Sequence, residues 1–136
     1  MFRLSIVTPE KIFYDDDIVS LVVPGTEGYL GVLSNHAPLI TALQIGRIEF
    51  RNTNEEVSVL SVTNGFLEVS GNVASLLCDA AEYAKDIDVP RAESALEKAQ
   101  AKIADYNNGN KDIDIDEEKL AVERAKNRMK IHKENS

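Results

Sequence analysis

The chain is organised around the stretch from Asp86 to Ala92, which reads Asp-Ile-Asp-Val-Pro-Arg-Ala. Asp88 has the chemistry of a helix N-cap, because a short carboxylate accepts the unpaired backbone N–H groups of a first helical turn. Pro90 is tolerated in that turn, since those N–H groups have no intrahelical partner. The stretch is therefore a joint between two domains with a capped helix start, or a ligand site at that joint.

A cluster of cations lies near the end of an otherwise acidic chain. The net charge of −8 disfavours nucleic-acid binding, which depends on lysine and arginine neutralising phosphates. From residue 119 onward basic residues outnumber glutamates. The basic residues are Lys119, Arg124, Lys126, Arg128, Lys130 and Lys133. A basic helix on an acidic protein indicates an acidic protein partner or a bound anion, or else an ordinary solvated helix face.

Four other features resemble reactive or ligand-binding groups but lack the rest of the pattern. Asp15–Asp17 is followed by no calcium-loop sequence, so we predict an exposed turn or a charged strand edge. The glycine-rich segment 25–31 lacks the ending of a phosphate loop, which favours turns between strands. His36 has no second ligand nearby and is read as a structural hydrogen-bonding residue. Cys78, the single cysteine, is predicted to be a buried thiol.

The first part of the chain alternates with a period of two and predicts a series of short strands. Turn pairs such as Asn64-Gly65 and Gly71-Asn72 separate them and are typical of hairpins. Short strands at this spacing favour an antiparallel sandwich or barrel. The predicted strands cover Phe2–Thr8, Lys11–Tyr14, Ile18–Val23, Ile45–Arg51, Val57–Val62, Phe66–Val69 and Ala74–Leu77, and Leu39–Leu43 forms a further apolar segment.

The period of the apolar residues becomes helical from Val89 onward. One narrow stripe is formed by Ala92, Leu96, Ala99, Ile103 and Tyr106. Residues 107–110, Asn-Asn-Gly-Asn, are suited to end that helix. A second helix is predicted from Asp114, which forms a capping-box pattern with Glu117. Its stripe contains Val122, Ala125 and Met129, with Leu120 and Ala121 beside it. A short loop between two helices predicts antiparallel packing.

These patterns predict a β domain, a sandwich or a barrel, over residues 1–85 and a helical hairpin over residues 86–136. The apolar stripes of the hairpin are rich in alanine, so the two helices bury little area against each other. Burial contributes about 25 cal/mol per Å², which leaves little beyond the entropy cost of ordering such a seam. We therefore expect the hairpin to be marginally stable and open to control by a ligand or a partner.

The motifs, taken in order, resemble the epsilon subunit of bacterial F-type ATP synthase over essentially the whole chain. The resemblance rests on Pro24-Gly25-x-x-Gly28-x-x-Gly31, Asn35-His36-Ala37-Pro38-Leu39, Gly46-x-Ile48 and the alanine-rich hairpin that follows. It implies a β-sandwich of about ten antiparallel strands followed by two helices. It also implies a non-catalytic subunit of the rotor, with no metal and no obligatory cofactor. Family contacts with the gamma subunit and the c-subunit ring map to Gly28, Tyr29, Leu30, Gly31 and His36, with Tyr29 where some relatives carry an acid.

The resemblance further implies that the hairpin regulates ATP hydrolysis. When folded it permits hydrolysis, and when extended along gamma toward the catalytic beta and alpha subunits it blocks rotation. Some family members bind ATP at the hairpin through an Ile/Leu-Asp-x-x-Arg-Ala motif. The residues of this chain that match the motif and its partners are Glu82, Ile87, Asp88, Arg91, Ala92, Arg124 and Arg128. The two arginines of the second helix are four residues apart and share a face, and guanidinium groups suit phosphate oxygens.

The expected function is thus a central-stalk subunit that couples proton flow to ATP synthesis and restrains hydrolysis, with ATP as a regulatory ligand. No apolar run approaches the ~20 residues that cross a bilayer. The resemblance implies a peripheral protein, attached through the complex to the cytoplasmic face of the bacterial membrane. The alternative is a free-standing sandwich module with a helical adaptor hairpin.

Overall fold

The computed structural model describes residues 1–135 and divides into two units, Met1–Tyr83 and the segment from Ala84 onward. The first unit is built from strands and the second from helices. The strands are β1 (Phe2–Thr8), β2 (Lys11–Gly25), β3 (Gly28–Val32), β4 (Leu39–Leu43), β5 (Gly46–Asn52), β6 (Val57–Val62), β7 (Gly65–Ser70), β8 (Val73–Cys78) and β9 (Ala81–Tyr83). A short 3-10 helix (Ala84–Asp86) precedes α1 (Val89–Asn107) and α2 (Ile115–Glu134).

The long strand β2 changes partners along its length and so joins the two layers of the sandwich. Its first half pairs with β1, whereas from Ile18 onward it pairs with β5. Its last residues form a hairpin with β3. β1 lies between β2 and β8, and the strand order on the other side of β8 continues through β7 to β4. The sandwich implied by the resemblance is confirmed, and it is one of the two folds that the alternating pattern favoured.

The core of the sandwich is formed by the inward-facing residues of both layers, because alternate side chains on a strand point to opposite faces. Leucine, isoleucine, valine and phenylalanine make up most of it. Its largest fully buried members are Phe50, Leu4, Ile6, Ile18, Leu21, Ile48, Leu60, Leu67 and Leu76. Cys78 is buried at the end of β8, as predicted.

The prediction of two strands over residues 11–23 was wrong, since they form the single strand β2. Asp15, Asp16 and Asp17 lie inside that strand, opposite Ser5, Leu4 and Arg3 of β1. Of the two alternatives for these aspartates, the turn is excluded and the strand edge is confirmed, because this half of β2 pairs only with β1 in the described part of the chain. Arg3 Nε donates to Asp15 Oδ1 at 2.8 Å, which offsets one of the negative charges.

Two further details of the strand prediction differ from the structure. The residues described contain nine strands, where the resemblance implied about ten, and β3 and β9 were not among the strands predicted from the alternating pattern. One strand pair, β1 with β8, is parallel, although only antiparallel pairs were expected. Residue spacing cannot show this pairing, since β1 and β8 are far apart in sequence and meet only when the sheet closes.

The second unit is the antiparallel helical hairpin that the helical period predicted. Lys102 Nζ in the last part of α1 lies 3.5 Å from Glu118 Oε1 in the first turn of α2, which places the helices side by side in opposite directions. α1 ends at Asn107, within the predicted segment 107–110, and Gly109 just beyond it has a φ of 117°. The buried residues of the two helices are Ala92, Ala99, Ala125 and Ile131. The apolar contact between the helices is therefore as small as expected.

Candidate functional site

The start of α1 is held by the side chain of Asp88. Its Oδ1 accepts a hydrogen bond from the backbone N–H of Arg91 at 3.1 Å, and its backbone is extended as an N-cap requires. The Asp88 carbonyl accepts the first helical hydrogen bond, from Ala92 N at 3.0 Å. Pro90 lies in the first turn, as predicted. The capping role is therefore confirmed, and it fixes the position of Arg91 relative to the helix end.

Side chains around this cap divide into buried and exposed ones. Ile87 and Ala92 are buried and so serve packing. The Arg91 side chain is exposed, and within residues 1–135 its guanidinium has no hydrogen-bond or ion-pair partner. An unpaired cation beside the N–H groups of a helix N-terminus is suited to an anionic ligand.

Arg124 and Arg128 lie one turn apart on α2, and both are half-buried. They share a helix face, as predicted from their spacing. The Arg124 guanidinium is already paired, since its Nη2 lies 2.6 Å from Glu117 Oε1. Arg124, one of the two residues of α2 predicted to bind phosphate, thus already forms an ion pair with a carboxylate of its own helix.

Glu117 belongs to the predicted capping box, of which half is present. Asp114 Oδ1 accepts from Glu117 N at 3.2 Å, as an N-cap does. In a complete capping box the glutamate carboxylate also accepts a hydrogen bond from the backbone N–H of the cap residue. Among the described residues the Glu117 carboxylate instead takes the hydrogen bond from Arg124. Sequence spacing could not show this choice, because both arrangements lie within reach of the same side chain.

Glu82 lies in β9, the last strand of the first unit. It is opposite Ser61 in the β6–β9 pairing and is half-buried. The 3-10 helix and the buried Ile87 follow it in the chain. In the hairpin, Asp88 and Arg91 are brought into contact through the cap, and Arg124 and Arg128 share one face of α2.

The glycine-rich segment that was predicted as an interface forms the β2–β3 hairpin. Gly25 and Gly28 are opposite each other, and Gly28 has a φ of 131°, which an L side chain rarely adopts. Tyr29 is 62% exposed, and its hydroxyl accepts from the backbone N–H of Arg47. Leu30 is half-buried and Gly31 is exposed. The hairpin therefore exposes an aromatic side chain at its surface.

His36 lies in the loop between β3 and β4 and has the structural role predicted for it. Its Nδ1 is 2.7 Å from the carbonyl oxygen of Ala37. The neighbouring Asn35 has a φ of 62° and is tied to Asn72, whose Oδ1 accepts from Asn35 N at 2.7 Å. These bonds fix the loop against the β7–β8 turn.

The Cys78 thiol lies in surroundings that do not activate it. Burial, followed by the charge of Asp79, raises the pKa of the Cys78 thiol to about 11, so it stays protonated at neutral pH. Residues 1–135 contain no group of three His, Cys, Asp or Glu side chains arranged to hold a metal ion. Neither described helix is long and apolar enough to cross a membrane.

An exposed apolar surface on the sandwich was missed by the sequence reading. On the outer face Phe66 is opposite Leu77 and Leu77 is opposite Val7, while Ile40 lies diagonal to Phe66. We call these four residues the outer-face patch. Ile40, Phe66 and Leu77 are 73%, 58% and 57% exposed. Phe66, Leu77 and Val7 also line a cavity of about 380 Å³ together with Pro9.

A sequence signal for this patch does exist. Leu39-Ile40, Phe66-Leu67 and Leu76-Leu77 each place two large apolar residues next to each other in a strand. Adjacent residues face opposite sides of a sheet, so one of each pair must point outward. A sheet that is polar on its solvent face would not have this pattern.

Comparison with known proteins places both units in one family. Residues 1–84 match the family described as "ATP synthase, Delta/Epsilon chain, beta-sandwich domain". Residues 85–133 match "ATP synthase, Delta/Epsilon chain, long alpha-helix domain". The ATP synthase epsilon chain of Lacticaseibacillus casei is 38% identical over 133 residues, which cover 96% of this chain and 93% of the relative. The chain belongs to the epsilon-subunit family of F-type ATP synthase.

Other relatives agree with this assignment. The epsilon chain of Pediococcus pentosaceus is 41% identical over 134 residues, covering 98% of this epsilon-family chain and 96% of the relative. Among solved structures, a chain of the Euglena gracilis mitochondrial ATP synthase OSCP/F1/c-ring structure matches with a TM-score of 0.79 and 19% identity, covering 93% of this chain and 78% of that one. At that identity the match supports the fold. As an epsilon-family member, the protein is a subunit of ATP synthase.

Proposed function

We propose that the protein is a non-catalytic subunit of the rotating central stalk, coupling proton flow to ATP synthesis while its hairpin restrains ATP hydrolysis. The observation that carries the stalk assignment is the outer-face patch, because a contiguous apolar surface marks a protein contact. The gamma subunit occupies this patch. The β2–β3 hairpin and His36 meet gamma and the c-subunit ring. The complex holds the protein at the cytoplasmic face of the membrane.

The second part of the proposal is that the hairpin binds ATP as a regulatory ligand. Arg91 supplies an exposed, unpaired guanidinium at the N-terminus of α1, where the helix dipole also favours an anion. Arg128, and Arg124 once it leaves Glu117, supply further positive charge on one face of α2. Ile87 and Ala92 shape the apolar side of the helix start. ATP stabilises the packed hairpin, because any ligand that binds one conformation stabilises it against the others.

The proposed inhibitory state is the extended hairpin. The seam consists mainly of alanines, so opening it exposes little apolar area. When α2 extends along gamma, its cations meet acidic residues of the catalytic beta and alpha subunits, which offsets the lost packing. Low ATP then favours the inhibitory state.

The stalk proposal is tested by capture of purified gamma. A Phe66→Glu, Leu77→Glu double variant should lose most of the gamma bound by the natural chain, because two charges would be buried in the contact. Val57→Glu is the matched control, since Val57 is an exposed apolar residue on β6 outside the patch. Equal gamma binding by the natural chain and the double variant would reject the patch as the docking surface. Absence of gamma binding by the natural chain would favour the free-standing adaptor.

The ATP proposal is tested by calorimetric titration of ATP into the isolated chain. We expect one site, weakened about tenfold or more by Arg91→Ala, because a charge-assisted contact with phosphate is lost. Lys98→Ala is a suitable control, since Lys98 is an exposed cation in the middle of α1. No heat at millimolar ATP would restrict Asp88 and Arg91 to structural roles.

A further inference from the structure

We infer that Glu117 is an internal competitor of the nucleotide, which sets the ATP affinity of the hairpin by holding Arg124 away from the phosphates. The inference rests on the proposed ATP site and names a regulatory residue for it. Its starting point is the ion pair between Arg124 Nη2 and Glu117 Oε1.

The ion pair holds the Arg124 side chain toward the N-terminus of α2. Glu117 precedes Arg124 by two helical turns, about 10 Å along the axis of α2. The Lys102–Glu118 contact places this end of α2 beside the end of α1. The start of α1, where Asp88 and Arg91 lie, is therefore alongside the other half of α2. The Arg124 guanidinium is drawn toward the interhelical loop, and binding phosphate near Arg91 requires it to leave Glu117.

Glu117 has an alternative partner within its own turn. Asp114 already caps α2 by accepting from Glu117 N, which is one half of a capping box. Once released from Arg124, the Glu117 carboxylate can complete the box by accepting from the Asp114 N–H. The exchange replaces one carboxylate contact of Arg124 by a phosphate contact and leaves the carboxylate hydrogen-bonded. Both side chains are partly exposed, at 32% for Arg124 and 52% for Glu117, so the exchange needs no buried intermediate.

The test compares Glu117→Gln with the natural chain in calorimetric titrations of ATP at about 0.15 M salt. Glutamine still completes a capping box but carries no charge to hold Arg124. We expect ATP to bind about two- to fivefold more tightly to the variant, the range that an exposed ion pair supports. Glu123→Gln is the matched control, because it removes the same charge from the exposed residue next to Arg124. Its affinity should change by less than about twofold.

The outcomes separate the inference from the proposed function. Tighter binding confined to E117Q supports the competitor role. ATP binding by the natural chain with equal affinities for E117Q and E123Q overturns that role and leaves the ATP site standing. No binding by any of the three proteins overturns the ATP site and the competitor role together. A second readout needs no nucleotide: the Arg124 Nη–H protons, which donate to Glu117, should exchange with water faster in E117Q than in E123Q, and equal rates would contradict the ion pair in solution.

Discussion

The sandwich and the hairpin of this epsilon-family chain bury very different side chains. Each strand of the sandwich contributes large aliphatic or aromatic residues to one core, such as Phe50, Leu67 and Ile6. The helices bury Ala92, Ala99 and Ala125, with Ile131 as the one large side chain among their buried residues in the part of the chain described. Because the stabilisation scales with apolar area, we expect the sandwich to be the more stable unit and the hairpin to open more easily. In the proposed function, stability and regulation then belong to separate units.

The largest expected effect is a core truncation in the sandwich. Leu67 is fully buried in β7, so Leu67→Ala should lower the free energy of unfolding by about 2–5 kcal/mol. In the hairpin, Leu96 is only half-buried, and Leu96→Ala should cost about 1 kcal/mol or less. Urea unfolding followed by circular dichroism measures both values. Similar losses for the two variants would remove the contrast between the units.

The next effect concerns close backbone packing inside the sandwich. A Cβ on Gly65 would overlap the Leu77 carbonyl of the neighbouring strand, so Gly65→Ala should destabilise the fold by roughly 1–3 kcal/mol. Gly31→Ala is the control, because a Cβ there meets no atom within 4 Å. Thermal unfolding of the two variants provides the comparison. A stable Gly65→Ala protein would show that β7 and β8 can separate without cost.

A smaller effect is expected at the helix start. Removing the Asp88 cap by Asp88→Ala should destabilise α1 by about 1 kcal/mol, because the Arg91 N–H loses its partner. Asp86→Ala, which removes an exposed carboxylate outside α1, should have little effect. Helical circular dichroism against temperature reports on both variants. If both changed the helix signal equally, charge rather than capping would explain the loss.

The smallest effect is a change with pH at the sandwich edge. The hydrogen bond from Arg3, and then its charge, lower the pKa of the Asp15 carboxyl below its usual value. A lowered pKa means that the contribution of the pair is complete above the ordinary aspartate pKa and is lost as pH falls through the lowered value. Arg3→Gln should return the Asp15 pKa toward its ordinary value in an NMR titration, with little change in stability because both groups are exposed. An unchanged pKa would show that the ion pair does not form in solution.

The structure of the hairpin was predicted from its sequence more completely than the strand pairing of the sandwich. Helix starts at Asp88 and Asp114 and a helix end within residues 107–110 follow from local chemistry, and the structure confirms all three. Sheet features that depend on distant residues were missed, among them the continuous β2 and the parallel β1–β8 pair. At the candidate site the cap was predictable, whereas the pairing of Arg124 with Glu117 was not, because two partners lay within reach of one carboxylate.

We propose that a stable sandwich carries a hairpin whose packing depends on ATP. Hydrogen exchange measured by mass spectrometry on the full chain, with and without millimolar ATP, tests it directly. We predict that amides of α1 and α2 exchange much faster than those of the sandwich core, and that ATP slows exchange in the helices alone. Equal protection of helices and core without ATP, or helices unaffected by ATP, would contradict the claim.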